Sequence, residues 1–341
     1  LSAKFAGLGF EVEKDHQKMY GDHIICRMKG DGLNTLVIGH FDTALPKGAP
    51  SDRPFRIYGN RGYGPGTADM KAGIVSAYYA IKAILECTDQ KPNITVVLNS
   101  DEEPGSPTSR HVIRKEAENA ARCFIMEGGA FGSITTERKG VGIFTFKCTG
   151  KAAHAGAEPE KGRSAIVEMA HKIIELSALN DHEKGVTVNV GVISGGTYPY
   201  VVAEEVVIKV DCRIPTKKDG EKLIARFNEI AAKSYIDSVV TEWTGSFHRE
   251  PMEKTPETEK LIALVKEVGT EIGMSINERT SGGASDGNLT GAMGVPSICG
   301  MGPEGYGCHG IDEYVEIESV FERTKLFAQV LNRLYGKKDI L

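Results

Sequence analysis

The sequence predicts an α/β fold with a mostly parallel sheet and helices on both faces, interrupted by an inserted α+β domain. Two observations lead to this prediction. Apolar strand patterns alternate with helical patterns from residue 34 to about 137. Longer strand patterns of alternating polarity follow as far as Pro251, and the first type of pattern then returns. Buried parallel strands are apolar throughout, whereas antiparallel strands with one face in water alternate.

The first part of the chain has the pattern of βαβ units. Its buried strands are predicted at TLVIGH (35–40), ITVVLNS (94–100) and RCFIME (122–127). Helical patterns lie between them at MKAGIVSAYYAIKAILE (70–86) and SPTSRHVIRKEAE (106–118). This alternation is typical of a parallel sheet whose crossover helices cover its faces.

The middle of the chain predicts longer, half-exposed strands. They are expected at GIFTFKCTG (142–150), GVTVNVGVIS (185–194) and EEVVIKVDCRI (204–214), with helices near 162–178 and 218–233. Such alternation indicates an antiparallel sheet with one face open to water.

The last part returns to the first pattern. Thr255 and Pro256 fit the cap and first residue of a helix over 256–272, and a closing helix is predicted at about 317–335. We therefore expect one domain formed by residues 1–138 and 252–341, with residues 139–251 inserted as a second domain.

Charge and hydropathy exclude several function classes. The 341 residues contain 41 lysines and arginines against 46 aspartates and glutamates, a formal net charge of −5. This mild acidity does not favour binding to nucleic acid or to an anionic membrane surface. The longest uncharged stretch, 185–203, alternates in polarity and contains Pro199, so it is predicted to be a strand and not a membrane span.

Seven cysteines are scattered along the chain without a C-x-x-C pair. This arrangement favours reduced thiols and therefore a cytoplasmic protein. The sequence opens at Leu1 without a methionine, in a stretch typical of a helix end that runs into a strand. We therefore expect a preceding segment, with room for a targeting signal.

Residues able to bind metal recur at the ends of the predicted strands. Because ligands of open α/β sheets bind at the carboxyl edge, these side chains are expected to converge in one cleft. They are His40 after LVIG, Glu102 and Glu103 after VVLNSD, Glu127 after CFIM, His309 beyond PSICG, and Asp69 in a glycine-rich loop that opens a helix.

Two histidines and four acids suit a pair of divalent metals, and imidazole with carboxylate but no thiolate favours Zn²⁺ in an open catalytic site. In extended chain, neighbouring side chains point in opposite directions. One of Glu102 and Glu103 is therefore expected to bind metal while the other acts as a general base. Asp42 is placed to orient the ring of His40.

These residues lie in motifs that resemble the M20 metallopeptidase family, and within it the glutamate carboxypeptidase, or carboxypeptidase G2-like, branch. The motifs span almost the whole chain in the family's order. They are HFDTALPKG (40–48), GYGPGTADMKAG (62–73), NSDEEPGS (99–106), FIMEGG (124–129), TGKAAHAG (149–156), SGGASDGN (281–288) and GYGCHG (305–310).

The resemblance implies a catalytic domain with two zinc ions and an inserted lid domain that also forms a homodimer. Asp69 would bridge both metals, His40 and Glu127 would hold one, and Glu103 and His309 the other. Glu102 would be the base that acts on the bridging water. Co²⁺ or Mn²⁺ would suit the same ligands.

The resemblance also assigns roles to the inserted domain. His154 looks like the residue that enters the partner subunit's site and stabilises the developing oxyanion. Arg249 matches the position of a carboxylate anchor, and Asn189 and Arg213 are further candidates for substrate binding. The alternative for the arginines is a salt bridge at the rim, and for His154 an ordinary surface histidine.

The implied function is hydrolysis of an amide bond in a small peptide or N-acyl amino acid, with release of a C-terminal glutamate. An N-acyl amino acid deacylase of the acetylornithine or succinyl-diaminopimelate type is the alternative within the fold. GASDG (283–287) also fits the G-x-S-x-G pattern of a serine hydrolase with Ser285 as nucleophile.

Two further alternatives are less well supported by the sequence. A dinucleotide-binding protein is disfavoured because GNRGYGPG (59–66) lacks the G-x-G-x-x-G spacing. A non-catalytic relative is disfavoured because every expected metal ligand and Glu102 are present.

Overall fold

The computed structural model describes residues 1–130 and 132–336. Phe131 and residues 337–341, which the predicted first domain includes, lie outside the described residues. The chain divides into two compact units. Unit one comprises Leu1–Arg138, Met252–Ser281 and Ser285–Leu341, and unit two comprises Lys139–Pro251 and Gly282–Ala284.

A six-stranded sheet lies at the centre of unit one. Its order is β1 (Glu11–Asp15), β2 (His23–Met28), β6 (Pro92–Asn99), β3 (Asp31–His40), β7 (Arg122–Ile125) and β15 (Ser297–Ile298). The pairs β3–β6, β3–β7 and β7–β15 are parallel, and β1–β2 and β2–β6 are antiparallel. The α/β prediction is confirmed, and the three predicted buried strands are β3, β6 and β7.

Helices cover both faces of this sheet, because alternate residues of each strand point to opposite faces. On one face Val37 joins a core with side chains of the third, seventh and ninth helices, and on the other Leu36 and Ile38 pack with the fourth and eighth. The helices of unit one are α1 (Ser2–Ala6), α2 (Ala49–Asp52), α3 (Ala72–Cys87), α4 (Arg110–Ala117), α7 (Pro256–Glu271), α8 (Gly287–Gly291) and α9 (Ile317–Gly336). Helix α7 begins as predicted, with the Thr255 hydroxyl accepting from the Thr258 N–H at 3.1 Å.

Two smaller sheets complete unit one, and the sequence analysis predicted neither. A five-stranded sheet has the order β4 (Arg56–Tyr58), β5 (Arg61–Tyr63), β17 (Tyr314–Glu316), β16 (Gly302–Tyr306) and β8 (Gly128–Gly129). A two-stranded sheet pairs β14 (Asn277–Ser281) with β9 (Ser133–Arg138). The antiparallel pairing of β5 with β17 brings the segment after Tyr63 beside the segment before Tyr314.

Unit two is an antiparallel sheet with two helices on one face. The strand order is β11 (Thr187–Gly195), β12 (Glu205–Ile214), β10 (Gly140–Thr149) and β13 (Val240–Arg249). Helices α5 (Ala165–Ser177) and α6 (Lys217–Ala232) enclose a core that includes Phe144, Phe146 and Phe227. The fourth strand, β13, was not predicted, because its apolar residues are few. In the described parts of both units, no helix is long and apolar enough to cross a membrane.

Candidate metal centre

The carboxyl ends of the central strands position the predicted metal ligands of unit one. His40 is the last residue of β3, Glu127 lies two residues after β7, and Glu103 lies in the turn after β6. The other two come from loops that the five-stranded sheet brings together. Asp69 precedes α3, and His309 lies between β16 and β17. The five side chains that the sequence predicted as ligands therefore meet at one edge of the sheet.

Asp69 lies at the centre of this cluster and faces a histidine with each oxygen. Its Oδ1 is 3.0 Å from His40 Nε2, and its Oδ2 is 3.2 Å from His309 Nε2. Glu127 Oε1 lies 3.7 Å from His40 Nε2, and Glu103 Oε2 lies 3.3 Å from His309 Nε2. The arrangement consists of two groups of histidine and carboxylate that share Asp69.

Asp42 contacts both groups from behind. Its Oδ1 is 3.3 Å from His40 Nδ1, and its Oδ2 accepts the backbone N–H of Glu103 at 3.0 Å. The Ala44 N–H donates to Glu103 Oε1 at 2.9 Å, which leaves Oε2 facing His309. A carboxylate at Nδ1 of a histidine directs its Nε2 toward a ligand, as expected for a metal site.

Burial and crowding of carboxylates shift the pKa values of the cluster. Burial raises the pKa of Glu127 and of Glu103, and in both cases the charge of Asp69 adds to the shift. For His40, burial disfavours the charged ring, but hydrogen bonds with Asp42 and Asp69 raise its pKa well above the usual value. For Asp69, burial is outweighed by His40, so its pKa is lowered. Bound cations offset the electrostatic repulsion between carboxylates that are crowded in this way.

The donor set fits divalent metal ions. One ligand atom each of His40, Asp69 and Glu103 lies within 4.8 Å of the others. Imidazole nitrogens and carboxylate oxygens are the ligands of catalytic zinc sites with an open position. The chain therefore places a suitable ligand set in one place without rearrangement.

Glu102 and Glu103 lie in a turn, so the expectation of extended chain was wrong. The N–H of Gly105 donates to the Glu102 carbonyl at 2.7 Å, and the N–H of Ser106 donates to the Asp101 carbonyl at 2.7 Å. The cause is Pro104-Gly105, because Gly105 has a φ of 96° that other residues rarely adopt. Glu102 remains half-buried, and its negative charge contributes to the raised pKa of both His40 and Arg138.

A buried polar network lies behind this turn and includes the serine of the G-x-S-x-G motif. Asp286 accepts hydrogen bonds from the Asn99 amide at 2.7 Å and from the Ser106 hydroxyl. Ser285 is only 1% exposed, and its oxygen accepts the N–H of Gly287 at 3.1 Å. A nucleophile has to reach substrate, so the burial of Ser285 argues against the serine hydrolase alternative.

The sequence analysis missed one acid of this region. Glu313 lies four residues after His309, is 3% exposed, and accepts backbone hydrogen bonds from the loop that carries Asp69. A single glutamate in a loop has no sequence signal of its own.

The remaining predicted site residues belong to unit two. Arg213 and Arg249 both pair with Val141, one on each neighbouring strand, and lie on the face of the sheet that the helices leave open. Asn189 pairs with Asp211. The guanidinium of Arg213 binds Asp211 through two hydrogen bonds of 2.8 and 2.9 Å, and Arg249 is 2% exposed.

His154 lies in an exposed loop of unit two. Its Nδ1 accepts the N–H groups of Gly156 at 3.2 Å and Ala157 at 3.1 Å. In the neutral ring the proton is therefore on Nε2, which makes this atom a hydrogen-bond donor.

Comparison with known sequences identifies relatives of this chain. The profile of peptidase family M20/M25/M40 matches residues 36–333. Carboxypeptidase G2 of Pseudomonas sp. (strain RS-16) is 30% identical over 350 residues, which cover 99% of this chain and 83% of that protein. A succinyl-diaminopimelate desuccinylase of Dechloromonas aromatica (strain RCB) is 28% identical over 293 residues, 80% of this chain and 74% of that protein.

Comparison with solved structures shows the same fold. Aminopeptidase PepT from Bacillus cereus superposes with a TM-score of 0.85 at 23% identity, covering 98% of this chain and 91% of that one. The M20 family metallo-carboxypeptidase Sso-CP2 from Sulfolobus solfataricus gives a TM-score of 0.72 at 16% identity, covering 98% and 92%.

Proposed function

This chain belongs to the M20/M25/M40 peptidase family, and from this premise we propose that it is a zinc-dependent carboxypeptidase that releases a C-terminal glutamate from small peptides or N-acyl amino acids. The observation that carries the proposal is the pair of histidine and carboxylate groups that share Asp69. The name and 30% identity of carboxypeptidase G2 support carboxypeptidase activity, and the choice of glutamate follows from the resemblance of the motifs to the glutamate carboxypeptidase branch.

The five clustered ligands would hold two metal ions. His40 and Glu127 would bind one ion and His309 and Glu103 the other, with Asp69 giving one oxygen to each. When bound, the metals lower the pKa of a water molecule and polarise the scissile carbonyl. Zinc is favoured because the ligands are imidazole and carboxylate, although Co²⁺ and Mn²⁺ accept the same set.

Glu102 is the proposed general base. It lies in the same turn as Glu103 and is close enough to His40 for their charges to interact, and the resemblance to the M20 family assigns it to the attacking water. The carboxylate would take the proton of the attacking water and deliver it to the leaving amine. His154, with its proton on Nε2, would donate a hydrogen bond to the developing oxyanion in the partner's site.

Arg249 is the proposed anchor for the free carboxylate of the substrate. It is 2% exposed, so this role requires the residues that cover it to move aside when substrate binds. A guanidinium binds a carboxylate through two parallel hydrogen bonds, which fixes orientation as well as charge. Arg213 already binds Asp211 in this way, so with Asn189 it would contribute at the rim of the binding site. The same open face of the sheet carries all three residues.

A second copy of this chain is the proposed partner of unit two. Strand β11 is at the edge of its sheet, and α5 packs beside it. Apolar side chains of these two elements are between 44% and 68% exposed, namely Val192, Ile193, Ile166, Val167 and Ile174. An exposed edge strand with a neighbouring apolar patch is typical of an interface between subunits.

A charge on β11 is expected to separate the subunits. Ile193→Lys would place an ammonium in the proposed interface, where it loses its hydration, and sedimentation velocity should show a monomer. Turnover should fall by about 10²–10³-fold, because His154 would no longer reach the partner's site. Val240→Lys, on the opposite edge of the same sheet and 58% exposed, is the matched control. A monomeric wild type would contradict the proposed dimer, and a dimeric Ile193→Lys protein would show that the interface lies elsewhere.

Hydrolysis of a panel of N-acyl amino acids, with zinc restored, tests the proposed activity. We expect kcat/KM for acyl-glutamate to exceed that for acetylornithine by roughly 10–100-fold. Glutamate has a side-chain carboxylate where ornithine has an ammonium, and a hydrogen bond to a charged group contributes about 1.5–3 kcal/mol. The acetylornithine or succinyl-diaminopimelate substrates would be preferred if the chain is a deacylase, as the 28% identity with a desuccinylase allows.

Two reagents serve as controls in the same assay. A chelator should abolish hydrolysis and added zinc should restore it, whereas a serine-directed acylating agent should have no effect because Ser285 is buried. Activity that survives chelation and is lost with the serine reagent would contradict the zinc mechanism.

A further inference from the structure

Glu313 binds the loop that carries Asp69 through both oxygens of its carboxylate. Oε2 accepts the N–H of Gly66 at 2.7 Å, and Oε1 accepts the N–H groups of Ala68 at 2.9 Å and Asp69 at 3.0 Å. A carboxylate at 3% exposure is costly to bury unless its oxygens are satisfied. The loop therefore supplies the hydrogen bonds that make this burial tolerable.

The backbone of Glu313 holds the same loop from its other end. Its carbonyl accepts the N–H of Gly64 at 3.2 Å, so one residue makes four hydrogen bonds to residues 64–69. The neighbouring strand pairing, Tyr314 with Tyr63, continues this contact. Within the loop, the N–H and the hydroxyl of Thr67 donate to the Gly64 carbonyl, and the Lys71 N–H donates to the Gly66 carbonyl. Glu313 adds four hydrogen bonds from a distant segment to those that the loop makes itself.

Glu313 connects the loops that carry two of the clustered side chains, Asp69 and His309. It follows His309 by four residues, within the loop between β16 and β17. In that loop the N–H of Gly310 donates to the Gly307 carbonyl at 2.9 Å, which forms a turn that contains His309. His309 has a φ of 65°, an uncommon conformation for a residue other than glycine, which the surrounding loop has to maintain. A shift of Glu313 would therefore move both Asp69 and the His309 loop.

We propose that Glu313 is a positioning residue that fixes Asp69 for binding to two metal ions at once. This inference rests on the proposed metal function. Asp69 has to present one oxygen to each histidine group, which requires a defined position and orientation of its backbone. The hydrogen bond from the Asp69 N–H to Glu313 sets the backbone at that residue directly, and the bonds at Gly66 and Ala68 set the chain before it.

Glutamine cannot replace Glu313 in this role. The amide group has one acceptor oxygen, and its NH₂ group only donates. If the oxygen faces Ala68 and Asp69, the NH₂ group opposes the N–H of Gly66, and in the flipped orientation it opposes the other two. Glu313→Gln thus keeps the size and shape of the side chain while it removes the geometry that holds the loop.

Zinc binding to the folded apoprotein is the decisive measurement. Titration of Glu313→Gln against a zinc-competing dye should show affinity about 10–100-fold below wild type, the usual effect of losing an outer partner of a metal ligand. With zinc in excess, kcat should remain reduced while KM changes by less than about 3-fold, since the loop is proposed to align the metal ligands and not the substrate.

Glu316→Gln is the matched control. Glu316 lies on β17, three residues further on, and its Oε1 accepts from Arg61 Nε at 3.0 Å without touching the Asp69 loop. This variant should bind zinc like wild type, even if both variants lower the thermal stability of the apoprotein. A general structural role of Glu313 would lower stability without a specific loss of zinc affinity.

The outcomes separate this inference from the proposed function. A wild-type protein that binds no zinc would contradict both. A wild type that binds two ions, together with a Glu313→Gln protein that binds them equally well and keeps its kcat, would contradict the positioning role alone. If Glu313→Gln apoprotein does not fold, Glu313→Asp, which keeps two acceptor oxygens on a shorter side chain, is titrated instead and judged by the same criteria.

Discussion

Glu102→Gln is expected to lower kcat by about 10²–10⁴-fold while the protein still binds two metal ions, because general acid–base catalysis contributes that much. The amide has nearly the same size as the carboxylate but cannot accept a proton at neutral pH. Glu102 is proposed as the base and is not one of the five proposed metal ligands. Its replacement should therefore remove proton transfer and leave the ligand set intact.

The neighbouring residue supplies the control for this experiment. Glu103 faces His309 at 3.3 Å, so Glu103→Gln should weaken metal binding, whereas Glu102→Gln should not. The measurement combines metal analysis after dialysis with steady-state kinetics for both variants. Turnover that persists in Glu102→Gln would show that another group takes the proton. Loss of metal from Glu102→Gln would instead make Glu102 a ligand.

The central sheet and the cluster of polar side chains at its edge were predictable because strand ends are marked in the sequence. Each apolar run, such as LVIG before His40 or CFIM before Glu127, stops where a polar residue begins, and the parallel fold brings these points together. Asp69 and His309 lie in glycine-rich loops, where hydropathy carries no such signal. Their proposed roles came from the resemblance to the M20 family. The comparisons confirm the family, and the roles stay predictions.

The elements that escaped prediction depend on contacts between distant segments. The five-stranded sheet consists of strands of two to five residues, several of them rich in glycine, and such strands form only because a partner lies beside them. Glu313 gains its importance from three backbone N–H groups that lie 244 to 247 residues away in the chain. Local sequence patterns cannot show an interaction over that separation.

The turn at Glu102 shows a different cause of error. The sequence contained the signal, since Pro104-Gly105 is a common turn pair, but the apolar strand before it suggested that extended chain continued. The expectation that Glu102 and Glu103 have different tasks does not depend on extended chain. In a turn, too, neighbouring side chains leave the backbone in different directions.

Asp69→Asn is expected to weaken binding at both metal positions and to reduce turnover below detection. Asp69 uses Oδ1 toward His40 and Oδ2 toward His309, so the two positions share one negative charge. Asparagine offers one neutral oxygen to one position and an NH₂ group to the other, which repels a cation. The loss of affinity should exceed about 100-fold, since removing only an outer partner costs 10–100-fold.

His309→Ala provides the comparison, because His309 faces only one side of Asp69. Zinc titration should show one ion retained in His309→Ala and neither retained in Asp69→Asn at concentrations that saturate the wild type. Circular dichroism of both apoproteins verifies that they fold. Retention of two ions by Asp69→Asn would mean that Asp69 does not bridge, and equal loss in both variants would mean that the two positions bind cooperatively through His309. Either result would contradict the proposal that one shared carboxylate links the two groups. A single bridging side chain requires that Asp69→Asn lose more zinc than His309→Ala.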